Sequence, residues 1–154
     1  MPHQSDSAEQ RDAELLILKA IGEELGKELT RTRVDFDGGS WAEVDGVDSE
    51  ETVFVEVFAH HGLTKAAQQH KVARDALKLI TLARTREDAR LIIAFADDEA
   101  SRFATQRSWV AAALAAWSVE VMVVELDAAI SDGIRAAQVR QKMVNPEAPT
   151  PAEE

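Results

Sequence analysis

The apolar positions change period along the chain, and each change marks an element. From Ala8 to about Thr32, Leu15, Leu18, Ile21/Gly22, Leu25 and Leu29 recur at helical spacing, which predicts a long amphipathic first helix. Val34 to Asp37 reads as a short extended piece closed by Gly38-Gly39. Trp41 to Val47 alternates, with Glu43 and Asp45 on the face opposite Ala42 and Val44, and so predicts a strand. A turn follows. Thr52 to Ala59 is dense in Val and Phe and reads as a buried strand. The pattern then predicts a helix from Thr64 to Arg84, with Thr64 as N-cap and Ala73, Leu77, Ile80 and Ala83/Arg84 as its core stripe. Arg90 to Ala96 predicts a strand, Ser101 to Trp117 a helix after the acidic turn Asp97-Asp98-Glu99, Val119 to Leu126 a strand, and Ala128 to Met143 a last helix.

Strands that alternate with helices in the second half predict a parallel arrangement there, in a mixed sheet covered by helices on both faces. The expected class is therefore α/β, in a single domain over residues 9–143. Residues 1–8 read as a disordered lead-in and 144–154, rich in proline and acid, as a disordered tail. No glycine-rich phosphate loop follows any strand, which speaks against a dinucleotide or NTP site.

Composition narrows the chemistry. The 154 residues include no cysteine, which excludes disulfides, thiolate nucleophiles and cysteine-based zinc sites. No apolar run is long enough to span a membrane and the first residues are polar, so no membrane partner and a cytoplasmic location are expected. A net charge of -11 disfavours general coating of nucleic acid. Yet seven basic residues stand against three acids between Ala59 and Arg90, which makes the second helix a basic stripe on an acidic body. That stripe reads equally as a phosphate-facing surface or as a solvated helix face.

The candidate chemistry lies between Asp45 and Lys71. On the second buried strand Glu56 shares a face with Phe54 and Phe58, a costly place for a carboxylate unless something pairs with it. Asp45, at the end of the preceding strand, is the natural companion, since two carboxylates can hold a hard divalent cation through oxygen. Lys65, Gln68 and Gln69 lie within one turn of each other at the start of the next helix. Lys71, Asp75 and Lys78 form a second row, read as an internal ion-pair row. Adjacent His60 and His61 point to opposite sides of an extended chain, so a zinc site built from His60, His61 and His70 is disfavoured. His60 reads as a surface histidine, a general base or a partner of Glu56. Trp41, Trp109 and Trp117 read as core or interface anchors rather than base-stacking platforms.

The order helix, strand, strand with Asp45, strand with Glu56-Val57-Phe58, helix, strand resembles the PD-(D/E)XK nuclease superfamily over roughly Ala8 to Ala96. VEVFAHHGLTKAAQQHKVARDALKL is similar to the strand-to-helix junction of such domains. The resemblance implies a restriction-endonuclease-like core (αβββαβ), here with an added helix, strand and helix. It implies a magnesium or manganese ion held by Asp45, Glu56 and the carbonyl of Val57. Phe58 stands where the superfamily's motif carries lysine, and the resemblance allows Lys71 or Lys65 to supply it from the helix. Glu14, Glu24 or Glu28 would complete the metal shell, and Gln68, Gln69 and His60 would face the substrate. Two readings follow: a magnesium-dependent nuclease that meets DNA or RNA through the basic helix, or a non-catalytic, dimeric binding or assembly module with Glu56 in a buried ion pair.

Overall fold

In the computed structural model, which describes residues 8–144 and side chains as far as residue 140, one five-stranded sheet organises the chain. The elements are α1 (Ala8–Leu25), β1 (Thr30–Asp35), β2 (Trp41–Val47), β3 (Val53–Phe58), α2 (Ala66–Ala83), β4 (Arg90–Phe95), α3 (Asp98–Thr105), α4 (Trp109–Ala116), β5 (Val119–Val123) and α5 (Ala128–Val144). The strands lie in sequence order. β1, β2 and β3 are antiparallel neighbours, whereas β3, β4 and β5 run parallel across helical connections. This is the expected mixed α/β domain, compatible with a restriction-endonuclease-like core. The lead-in and tail predicted at the termini lie outside the described residues, except Ala8 and Val144, which are helical.

Alternation along the central strands sends side chains to two separate cores. Phe54, Phe58, Leu91, Ile93 and Phe95 pack under Val72, Ala76, Leu79 and Leu82 of α2 and under α3 and α4. Val53, Val55, Val57, Ile92 and Ala94 pack against Ala13, Ile17, Leu18 and Ile21 of α1 and Ile134 of α5. α1 ends earlier than the apolar spacing predicts. Gly26, at φ 66°, stops it in a Schellman turn in which the Lys27 N–H donates to the Gly22 carbonyl at 2.9 Å, and that frees Leu29 for the approach to β1. Leu15, placed in the predicted stripe, is 67% exposed.

Three other boundaries or faces are corrected. β1 is Thr30–Asp35 rather than Val34–Asp37, because a charged edge strand carries little hydrophobic signal. The predicted helix 101–117 is two helices, broken where Ser108 caps α4 by accepting from the Ala111 N–H at 3.0 Å. The core stripe of α2 is centred on Val72, Ala76, Leu79 and Leu82; of the predicted Ala73, Leu77, Ile80 and Ala83/Arg84, Ile80 and Ala83 pack at its edge while Arg84 is exposed and Leu77 is 65% exposed. That rotation decides the site, because it swings the face bearing Lys71, Asp75 and Lys78 toward the end of β3. The start of α2 is held by Gln68, whose side-chain oxygen accepts from the Lys65 N–H at 2.8 Å, in place of the predicted Thr64 cap.

Candidate functional site

A register fault creates the site. β1 pairs Thr30 with Val47 but Thr32 with Val44, so β2 carries one extra residue at Asp45-Gly46, a β-bulge. On the other side β2 follows β3 only at Val47–Phe54 and Gly46–Val55. Past that point the strands part, and the Asp45 side chain takes over: its Oδ2 accepts from the Val57 N–H at 2.9 Å. The N–H and C=O of one strand residue point to the same side, so the Val57 carbonyl faces the same gap. A Cβ at Gly46 would meet the tip of the Leu18 side chain, so any larger residue there would make Leu18 shift.

Glu56 enters the gap from β3. It is 3% exposed and turned toward α2, as its shared face with Phe54 and Phe58 demands. From α2, the Lys78 ammonium lies 2.6 Å from Glu56 Oε1, donates to the Glu43 carbonyl at 2.9 Å and stands 3.8 Å from Asp75 Oδ1. The approach to Oε1 is close but off the angle of a hydrogen bond, so the contact is chiefly Coulombic. One cation thus faces a cluster of three acids. Burial, then the charges of Asp45 and Asp75, push the Glu56 carboxyl up to about 9, while Lys78 pulls the other way without cancelling them. Asp75 is also raised, first by burial, with Lys78, Lys71 and Arg74 opposing.

Phe58 is core. Its ring centroid is 5.5 Å from that of Phe95 and 5.9 Å from that of His60, and the residue is 5% exposed. Phe58 is therefore taken up by packing, and the ammonium nearest Glu56 is that of Lys78 on α2. Sequence reasoning had placed Lys78 in an internal row with Asp75. The spacing of Lys78 from Asp75 was visible, but its reach to Glu56 depended on the rotation of α2.

The remaining candidates divide between this gap and a neighbouring cavity of about 310 Å³, lined by Gln10, Glu14, Phe58, His60, Gln68 and Lys71 among others. Gln68 contacts His60 through its amide nitrogen. Lys65 contributes its backbone to the α2 cap and its side chain is exposed, while the Gln69 amide donates to Thr64 Oγ1 at 3.2 Å and to its carbonyl at 3.3 Å. Of the three first-helix acids, Glu14 also lines a second cavity, with Asp45 and Arg31. Glu24 and Glu28 stand elsewhere, near Arg90 and beside Asp48 respectively. His61 turns away from His60: its backbone N–H donates to the Gln138 side chain of α5 at 3.0 Å. His70 is exposed, and no cluster of three or more His, Asp or Glu positioned to hold a metal occurs among the described residues. The basic stripe is partly consumed by ion pairs, Lys78 with Glu56, Arg86 with Glu51 and Arg90 with Glu120.

The donor set is oxygen only: two carboxylates, Asp45 and Glu56, and the Val57 carbonyl facing the same gap. Magnesium is commonly held by one or two carboxylates with water and phosphate completing its shell, so these residues fit a hard divalent cation. They do not fit zinc, which wants nitrogen or sulfur in a closed tetrahedron. No family model and no curated protein matches the sequence. A search of solved structures finds a likeness to one described as EndoMS in apo form, with a TM-score of 0.38 and 19% identity. The match covers 79% of this chain and 48% of that one, so the chain spans about half the length of the structure it resembles. At that score the likeness carries no argument about chemistry. No helix among the described residues is long and apolar enough to cross a membrane.

Proposed function

We propose that the chain is a magnesium-dependent nuclease-like protein of the cytoplasm, acting on phosphodiester bonds of DNA or RNA. The observation that carries this reading is the Lys78 ammonium 2.6 Å from Glu56 Oε1, beside the gap where Asp45 grips the Val57 N–H. It supplies from α2 the charge that Phe58 cannot. In this reading Asp45, Glu56 and the Val57 carbonyl hold the ion, which when bound lends Lewis acidity and lowers the pKa of an attacking water. Lys78 offsets charge on the phosphate, and Lys71, beside Gln68 and His60 in the adjoining cavity, meets the backbone of the substrate. Lys65 and Gln69 have smaller parts, since both serve the cap of α2.

The test is cleavage of a panel of single-stranded, double-stranded and structured DNA and RNA with magnesium or manganese. At least one substrate is cut, Glu56→Ala abolishes cutting, and Lys78→Ala slows it on the order of 10²-fold. A panel left intact, or cut equally by Glu56→Ala, ends the reading.

The same ion pair favours a second reading, because a Glu56 already matched by Lys78 can serve a non-catalytic binding or assembly module. Trp109 on α4 and Trp117 at its C-terminal cap, 76% and 57% exposed, would then anchor a homodimer. Under it the protein sediments as a dimer, Trp109→Glu makes it a monomer, and no divalent metal binds.

A further inference from the structure

Lys78 is placed to do more than offset charge. Its ammonium stands on Glu56 Oε1, and a second carboxylate, Asp75, waits 3.8 Å away one turn earlier on the same helix. We infer that Asp75 is a positioning residue that receives Lys78 when a divalent cation takes Glu56, so that metal binding hands the ammonium from β3 to α2. The inference rests on the metal site proposed above.

Geometry supports each part of the exchange. Lys78 and Asp75 are i and i+3 partners on a helix, close enough for their side chains to meet with only rotamer changes. The Lys78 side chain is 22% exposed and that of Asp75 16%, against 4% for Glu56, so the handover moves the ammonium toward solvent rather than deeper. The Glu43 carbonyl, 2.9 Å from Nζ, gives the ammonium a fixed acceptor during the move. Without the ion, Lys78 keeps the carboxylate from standing alone in an apolar wall. With it, a cation left on Glu56 would sit beside a doubly charged one, and Asp75 relieves that repulsion.

Removing the ammonium therefore has a defined sign. Calorimetric titration of manganese into the full chain tests this. Lys78→Met should bind the ion about tenfold more tightly than the unaltered protein, and Asp75→Asn should bind it several-fold more weakly. In the double variant the Asp75→Asn effect should shrink, because no ammonium remains to be received. An Asp75→Asn effect of equal size in both backgrounds would reduce Asp75 to a through-space charge and overturn the inference. So would a Lys78→Met protein that binds no more tightly than the parent. On the unaltered protein, the Lys78 side-chain amine resonance should move as magnesium is added and stay still if no handover occurs, a readout that does not depend on any variant folding. If the unaltered chain binds neither ion, the metal reading and the inference fall together; if it binds and the cycle shows no coupling, the inference falls alone.

Discussion

Two carboxylates in this protein are buried almost equally, Asp48 at 5% exposure and Glu56 at 3%, yet their surroundings push them in opposite directions. Asp48, in the turn after β2, accepts from the Thr52 N–H at 2.7 Å, the Val53 N–H at 2.8 Å, Thr52 Oγ1 at 2.5 Å and the Lys27 ammonium at 3.0 Å. Burial alone would raise its pKa, but those donors outweigh it and hold the group well below the usual carboxylate range. Glu56 has one off-angle ammonium and two acidic neighbours, and it is raised to about 9. Burial acts on both but far more strongly on Glu56, which lies deep between β3 and α2, and Glu56 also has fewer donors to oppose it. The Asp48 turn is built to keep a negative charge in place; the Glu56 gap gives its carboxyl too little to stay charged, so it takes up a proton, and a bound cation would compete for that place.

The contrast can be broken most severely at Asp48. Asp48→Ala takes the acceptor from the part-buried Thr52 N–H and the buried Val53 N–H and leaves Lys27 with Thr52 Oγ1, so it should destabilise the fold by about 3 kcal/mol in urea titration. Glu56→Gln should do the opposite, stabilising the metal-free protein at pH 7.5 by about 1 to 2 kcal/mol, because the buried carboxyl must hold a proton in the folded state that it would release on unfolding, and a neutral amide removes that cost. If both variants lose stability, the Glu56 gap is an ordinary structural ion pair.

The pH dependence sharpens the same point. Glu56 has a folded pKa raised above its ordinary 4.5, so its contribution is fully present below about 4.5 and is lost as pH climbs toward about 9. Asp48 has a depressed pKa, so its contribution is present above the ordinary value and is lost as pH falls below about 4. Melting temperature should therefore fall by a few degrees between pH 5 and pH 9 in the metal-free protein, and Glu56→Gln should flatten that slope while leaving the acid limb unchanged. A smaller effect concerns the adjoining cavity: Lys71→Ala should raise KM for a nucleic-acid substrate several-fold with kcat nearly held, as expected for a contact made equally before and during reaction.

Much of this contrast was open to inspection in the chain. Glu56 among Phe54 and Phe58 declared itself as a carboxylate on a core face, and the alternation around Val44 placed Asp45 beside it. Gly26 could have ended α1 on paper, since glycine after a run of helix formers is a common C-terminal signal. What could not be read was rotation. α2 carries apolar residues at both Val72/Leu79 and Ala73/Leu77, and only the packing of Phe54, Ile93 and Phe95 selects the first set. That choice, about one residue of helical phase, brings Lys78 rather than Lys65 to Glu56. The bulge at Asp45 was equally hidden, because an extra residue in one strand is defined by its partner and not by its own pattern.

The gap between Asp45 and Glu56 should take a hard divalent cation if the proposed function holds. Calorimetric titration of manganese, and of magnesium, into the full chain and its Asp45→Ala variant tests it most directly. The account predicts one saturable site in the unaltered protein and none in the variant. No saturable heat in the unaltered protein, or the same isotherm with Asp45→Ala, would contradict it.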